Sequence, residues 1–226
     1  GWDKDFSNVT SDMTVNAVFA ECAVPARKVE LAEGQKLTDV YTVNEIYAVC
    51  RSDLAQDYFE VMDEIEIALD TDVVTDESIV LQVYGFNHYK KESGEEFAHV
   101  VFGMKGTLAQ GRRMNPTNVN AGGWEASEMR TWLNETMFEA LPTIWKSMIE
   151  SVQVLASIGG QSATIATTID KLFLFSASEV GFDTAAVPYK NEIDAEAEAM
   201  QFTLFTDNNS RIKKTFNGEG SAVYWW

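Results

Sequence analysis

The sequence predicts an α+β domain, a mostly antiparallel sheet carrying two or three helices. Three observations lead there. In YFEVMDEIEIALDTDVV, Phe59, Val61, Ile65, Ile67 and Leu69 alternate with Glu60, Glu64 and Glu66, the period of two expected of a strand with one wet face. SIVLQVYGF and HVVFGM are two further runs rich in β-branched and aromatic residues, separated by the polar turn YKKESGEE. After Gly122, Gly123 and Trp124 the spacing changes, with Met129, Trp132 and Leu133 at i, i+3 and i+4 on one face of a helix. Strands, then helices, then strands again describe helices packed on an antiparallel sheet.

Taken in order, the chain divides at residues 22 and 57. Thr14 to Phe19 is a strand-like run after a turn rich in Ser, Asn and Asp, and about twenty residues cannot form a core alone. Residues 23–57 read as a connector with one or two short strands, broken by Pro25 and Gly34. Residues 58–226 hold the main domain. Beyond Pro142, which suits the first turn of a new helix, Ile144, Trp145, Met148, Ile149 and Val152 extend the helical stripe. KLFLFS reads as a strand and SASEV as a short capped turn. DAEAEAMQFTLFT favours helix, with Asp194 as its cap.

Composition narrows the function classes. The 226 residues carry 17 Lys and Arg against 35 Asp and Glu, a formal charge of -18, so nucleic acid and anionic membrane surfaces are poor partners. No apolar run approaches the roughly 20 residues that span a bilayer, so no membrane insertion is expected. Cys22 and Cys50 are the only cysteines; they exclude a four-cysteine zinc site and leave open both a Cys22 to Cys50 bridge and two buried thiols.

Two stretches resemble known families. WDKDFSNVTSDMTVNAVF, Trp2 to Phe19, resembles the last third of an internalin-type B repeat, the Listeria/Bacteroides repeat of bacterial surface stalks, which makes residues 1–22 the trailing edge of a bead. RMNPTNVNAGGWEASEMRTWLN, ATTIDKLFLFSASEVG, NNSRIKK and GSAVYWW occur in the order of an uncharacterised domain-of-unknown-function family from surface and secreted proteins of gut bacteria. That family carries G-G-W-x-x-S-x-M-R-x-x-L-N, D-K-L-x-L-x-S, S-R-I-K-K and a final Y-W-W-L-R-S-P, so the match runs from about Ile79 to Trp226. Here the last motif stops at Trp226, and the resemblance implies a strand cut short. An ending of this kind is similar to that of the C-type-lectin-like fold, which implies a lectin-like domain truncated at its C-terminus.

Candidate chemistry is sparse. His88 and His99 border one turn and could meet in space, but structural roles are the simpler reading. Ten carboxylates and no Lys or Arg lie between Asp53 and Glu77, without the glycine and distant glutamate of an EF-hand loop, so a solvated acidic face is expected there. No spacing marks one carboxylate as acid and another as base. Neither cofactor nor metal is called for. Trp124, Trp132 and Trp145 are assigned to the core. Trp225 and Trp226 are adjacent on a strand, so at most one faces the core, and with Tyr224 they are candidates for stacking on a ligand. Arg211 and Lys213 could meet an anionic group or the acidic body. The resulting expectation is a non-catalytic, extracellular recognition or adhesion module whose partner is a glycan or extracellular protein. The alternatives are a carbohydrate-active enzyme using paired carboxylates and a structural spacer.

Overall fold

The protein was analysed as a computed structural model that describes residues 23–181, 201–215 and 218–223. Residues 1–22, expected to be the trailing edge of a repeat bead, and with them Cys22, lie outside the described residues, as do Tyr224, Trp225 and Trp226.

The α+β class holds. Strand β1 (Glu64–Ala68) pairs antiparallel with β2 (Ser78–Phe86), and β2 with β3 (Val100–Met104), in the order β1-β2-β3. Ile65 and Ile67 are buried while Glu64 and Glu66 lie on the other face, as the alternation predicts. The strand starts later than Phe59, because the chain turns through Met62 at φ 80° before β1. Strands β4 (Val152–Ser157) and β5 (Ile165–Asp170) form a second antiparallel pair, and β6 (Lys213–Lys214) with β7 (Ala222–Val223) a third.

Residues 23–57 correct the sequence reading in one respect. Instead of short strands they form helices α1 (Leu37–Val40), α2 (Val43–Cys50) and α3 (Ala55–Tyr58). The start of α2 is fixed by a capping box in which the Thr42 Oγ1 accepts from the Glu45 N–H and the Glu45 carboxylate accepts from the Thr42 N–H. Leu37, Ile46 and Val49 then reach the main core beside Phe59, Ile65 and Val83, all at most 1% exposed. Each such side chain contributes roughly 1.5–3 kcal/mol, so the segment is part of the body. Cys50 is a free thiol in that setting, pushed up to about 12 by burial.

Two further expectations are revised. The stripe beyond Pro142 is helical only as α6 (Thr143–Lys146), and Val152 opens β4. KLFLFS is not a strand; β5 ends at Asp170, where the Asn134 Oδ1 takes the Lys171 and Leu172 amides at 3.0 and 3.2 Å and so ends the ladder. The helix expected from Asp194 falls largely outside the described residues. Its described end, 201–206, is non-helical and buries Phe202 and Phe205 against Tyr84.

Candidate binding groove

The helix that starts at Ser127 organises two neighbouring features. Its Ser127 Oγ caps the Arg130 amide at 3.1 Å, and the helix runs as α4 (Glu128–Trp132), a π turn over Leu133–Met137 and α5 (Phe138–Ala140). A π turn inside an α-helix is uncommon and often accompanies a functional surface. Here residues of that turn line two hollows, Thr136 one of them and Asn134 and Glu135 the other.

The first feature is a knot around the Asp170 carboxylate, which is 3% exposed as a residue. The Trp124 Nε1–H donates to Oδ2 at 2.9 Å, the Thr168 hydroxyl to the same oxygen at 2.5 Å, and the Arg130 Nε–H to Oδ1 at 2.8 Å. Asn134 spans the gap, donating to the Leu172 carbonyl at 2.8 Å while accepting the two amides at the end of β5. Gly123 lets this arrangement close. Its φ is +55°, and a Cβ there would sit 1.8 Å from the Ser157 carbonyl oxygen at the end of β4. Thus Trp124, Arg130 and Asn134 of the first quoted motif meet the Asp170 carboxylate of the second, with Ser127 capping the helix and Gly123 permitting the close approach to β4. The knot borders a hollow of about 300 Å³ that Arg130, Asn134, Asp170 and Lys171 help to line.

The second feature is a groove of about 380 Å³ between the 73–76 turn, the 108–113 loop and the helix. Its walls are held at several points. The Ala109 amide donates to the Asp76 carboxylate at 2.7 Å, and the Asp70 amide to the Ala140 carbonyl at 2.9 Å. Past the loop, the Met114 carbonyl accepts the Met129 amide at 3.1 Å and Asn115 caps Glu128. Between those anchors Arg112 and Arg113 are exposed. The Arg112 guanidinium lies over the Trp132 ring, 4.4 Å from its centroid. Among the described residues neither arginine forms an ion pair, whereas Arg130 is paired with Asp170. A fixed apolar floor bearing guanidinium groups with open donor edges suits capture of an anionic or hydroxyl-rich ligand.

Comparison with known proteins bears on the same stretch, since the model of a domain-of-unknown-function family, DUF6273, matches residues 98–226, more than half of the chain. The chain belongs to the DUF6273 family. No curated protein and no solved structure matches it. Most of the groove lies within the DUF6273 region, and the 73–76 turn that completes it precedes the match.

The residues singled out from sequence take other positions in the DUF6273 region. Arg211 Nε donates to the Val180 carbonyl at 2.7 Å and Nη1 to the Asn208 side chain at 3.0 Å, tying two loops together. Lys213 is buried; its amine donates to the Tyr84 hydroxyl and, at 2.8 Å, to the Met104 carbonyl, and burial pushes its pKa down to about 8. Tyr224, Trp225 and Trp226 lie outside the described residues. His88 and His99 do come together, in structural work. His99 Nε2 accepts the His88 and Tyr89 amides at 3.1 Å each, while Nδ1 faces the Phe97 carbonyl at 2.9 Å. That geometry requires the neutral Nδ1–H tautomer, and burial holds the His99 pKa below its usual value. His88 Nε2 and the Tyr89 hydroxyl both meet the buried Glu179 carboxylate, at 3.2 and 2.5 Å.

The acidic face of β1 is also partly occupied. Glu64 pairs with Lys105 at 2.8 Å and Glu66 with Lys36 at 3.1 Å. Among the described residues, no group of three or more His, Cys, Asp and Glu side chains is placed to hold a metal ion, and no helix is long and apolar enough to cross a membrane.

The groove itself was not read from sequence. Trp132, expected in the core, does pack against two core clusters but is only partly buried and also contributes to the groove wall. The available signal was the adjacent pair Arg112-Arg113 in a Gly-bounded loop of an otherwise acidic chain.

Proposed function

We propose that this chain is the recognition part of an extracellular or surface-attached bacterial protein, in which the DUF6273 domain binds a glycan or an extracellular protein without turning it over. On this reading residues 1–22 are the end of a B-repeat stalk and the domain is of the C-type-lectin-like kind. The observation that carries the reading is the groove, where two arginines without ionic partners among the described residues share the lining with a partly exposed indole, one face of it under Arg112, on a helix that Arg130 ties to Asp170. Rigid support and open donors are what a binding surface needs, because little freedom is left to lose when the ligand docks.

The test is binding of the purified chain to arrays of mucin-type glycans and matrix proteins, with and without EDTA. Specific binding that survives EDTA is expected, since the acidic face of β1 already engages Lys36 and Lys105. Turnover of chromogenic glycosides, abolished by one Asp or Glu to Ala change, would replace this reading with the enzymatic one.

A further inference from the structure

The groove's chemistry narrows the ligand class, and this step rests on the recognition reading above. We infer that the groove binds a sugar bearing a carboxylate, with Arg112 and Arg113 holding the carboxylate group. Three features of the lining support a sugar. Its volume, about 380 Å³, is at the small end of ligand sites. Val73 and Leu108 supply apolar surface for the C–H face of a ring. Thr75, Gln110 and Thr136 supply neutral donors and acceptors of the kind that sugar hydroxyls need.

Charge selects the acidic member of that class. The groove holds two guanidinium groups against one carboxylate, Asp76, whose Oδ1 already accepts the Ala109 amide. Elsewhere in this acidic chain, described cations are largely engaged, as Lys28, Lys36, Lys105, Arg130 and Lys146 are by carboxylates. The groove is therefore a local reversal of the molecule's sign. The -18 charge also opposes long polyanions, whose remaining charges would face the acidic body, and favours a short ligand with a single acidic residue in the groove. Arg112 already covers one face of Trp132, so the guanidinium edge, held in place by the indole, is the group presented to the ligand.

The experiment is calorimetric titration of the full chain with sialyllactose and with trigalacturonate, their methyl esters, neutral lactose and hexaglutamate. Binding of either acidic sugar is expected, at least tenfold weaker for its methyl ester, and tenfold or more weaker in each of Arg112→Ala and Arg113→Ala. The two acidic sugars distinguish a nine-carbon from a six-carbon acid. If the array ligand is neutral, or hexaglutamate binds instead, or affinity is unmoved in both arginine variants, the acidic-sugar assignment is overturned while the recognition reading stands. If neither the arrays nor these probes bind, both fall. Thermal melts of the two variants matching the parent exclude misfolding as the cause of any loss.

Discussion

The Asp170 knot and the arginine groove lie around the same helix and treat charge in opposite ways. In the knot a buried anion is met by Trp124, Thr168 and Arg130; in the groove two exposed cations face solvent without ionic partners among the described residues. The knot is also where the spelled-out positions of the G-G-W and D-K-L signatures gather, whereas Arg112 precedes the first matched stretch, Arg113 only opens it, and Trp132 stands at one of its variable positions. A motif that identifies this domain therefore marks how its helix is fastened to β5, and the surface available for binding is found beside it. Similar sequence signatures in other members would then report shared architecture before shared ligand.

The sharpest way to break the comparison is to remove the anion. Asp170→Ala would leave Arg130, Trp124 and Thr168 without the carboxylate they share, which is itself buried although Arg130 reaches the neighbouring hollow. A loss of about 3–5 kcal/mol in urea unfolding is expected, the usual consequence of breaking a buried pair from one side. A loss below about 1 kcal/mol would mean that water replaces the carboxylate and that the knot holds little. Gly123→Ala comes next. It needs a positive φ and drives a Cβ into the Ser157 carbonyl, so a loss of about 2–3 kcal/mol is expected from strain and local displacement together. The same substitution at Gly160, whose Cβ would meet nothing within 4 Å, carries only the backbone part of that cost.

How far the sequence revealed this follows from range. The β1 alternation and the helix after Trp124 depend on neighbours a few residues apart, and both are present. The failures depend on distant partners. KLFLFS has the composition of a strand, but Asn134, some forty residues earlier, takes the amides that would continue β5. Residues 23–57 look loose because Pro25 and Gly34 break the pattern and their helices are short, and only the packing of Leu37, Ile46 and Val49 against residues of the sheet makes them core. Lys213 sits in a basic run expected to meet an anionic group or the acidic body, yet β6 turns it toward Tyr84 and Met104. The groove joins residues 73–76 to 108–113 and 132–136, a closure that no local pattern encodes.

Lys213 offers an intermediate case, a cation buried like Asp170 that meets the neutral oxygens of Tyr84 and Met104. Its folded pKa, about 8, is below the unfolded value of 10.5. Between these values the unfolded chain binds more protons, so stability rises with pH as the folded amine loses its proton. The gain is expected between pH 8 and 9, at about 1 kcal/mol. From about pH 8 the raised Cys50 thiol, and from about pH 9 the raised Tyr84 and Tyr89 hydroxyls, act in the opposite direction and are common to parent and variant. The urea midpoint of the parent should rise relative to that of Lys213→Met from pH 8.0 through 8.5 to 9.0. A difference between the two that stays level over this range would show that the amine is hydrated in the folded state.

The smallest expected effect tests the groove's side of the comparison. Arg112→Ala and Arg113→Ala should each change stability by no more than about 0.5 kcal/mol, because both side chains are exposed and neither closes an ion pair with a described residue. Arg112 does cover the Trp132 ring, and loss of that contact sets the upper end of its range. Removing a cation from a chain of charge -18 adds a weak, general repulsion, visible at low salt and screened at 0.15 M. A larger loss that persists in salt would show that the arginines fasten the 108–113 loop, and the groove would then be a second knot. Near-neutral stability would leave the two arginines with no cost to the fold on removal, which separates them from Arg130: that arginine is spent on holding the helix, and these are free to meet whatever enters the groove.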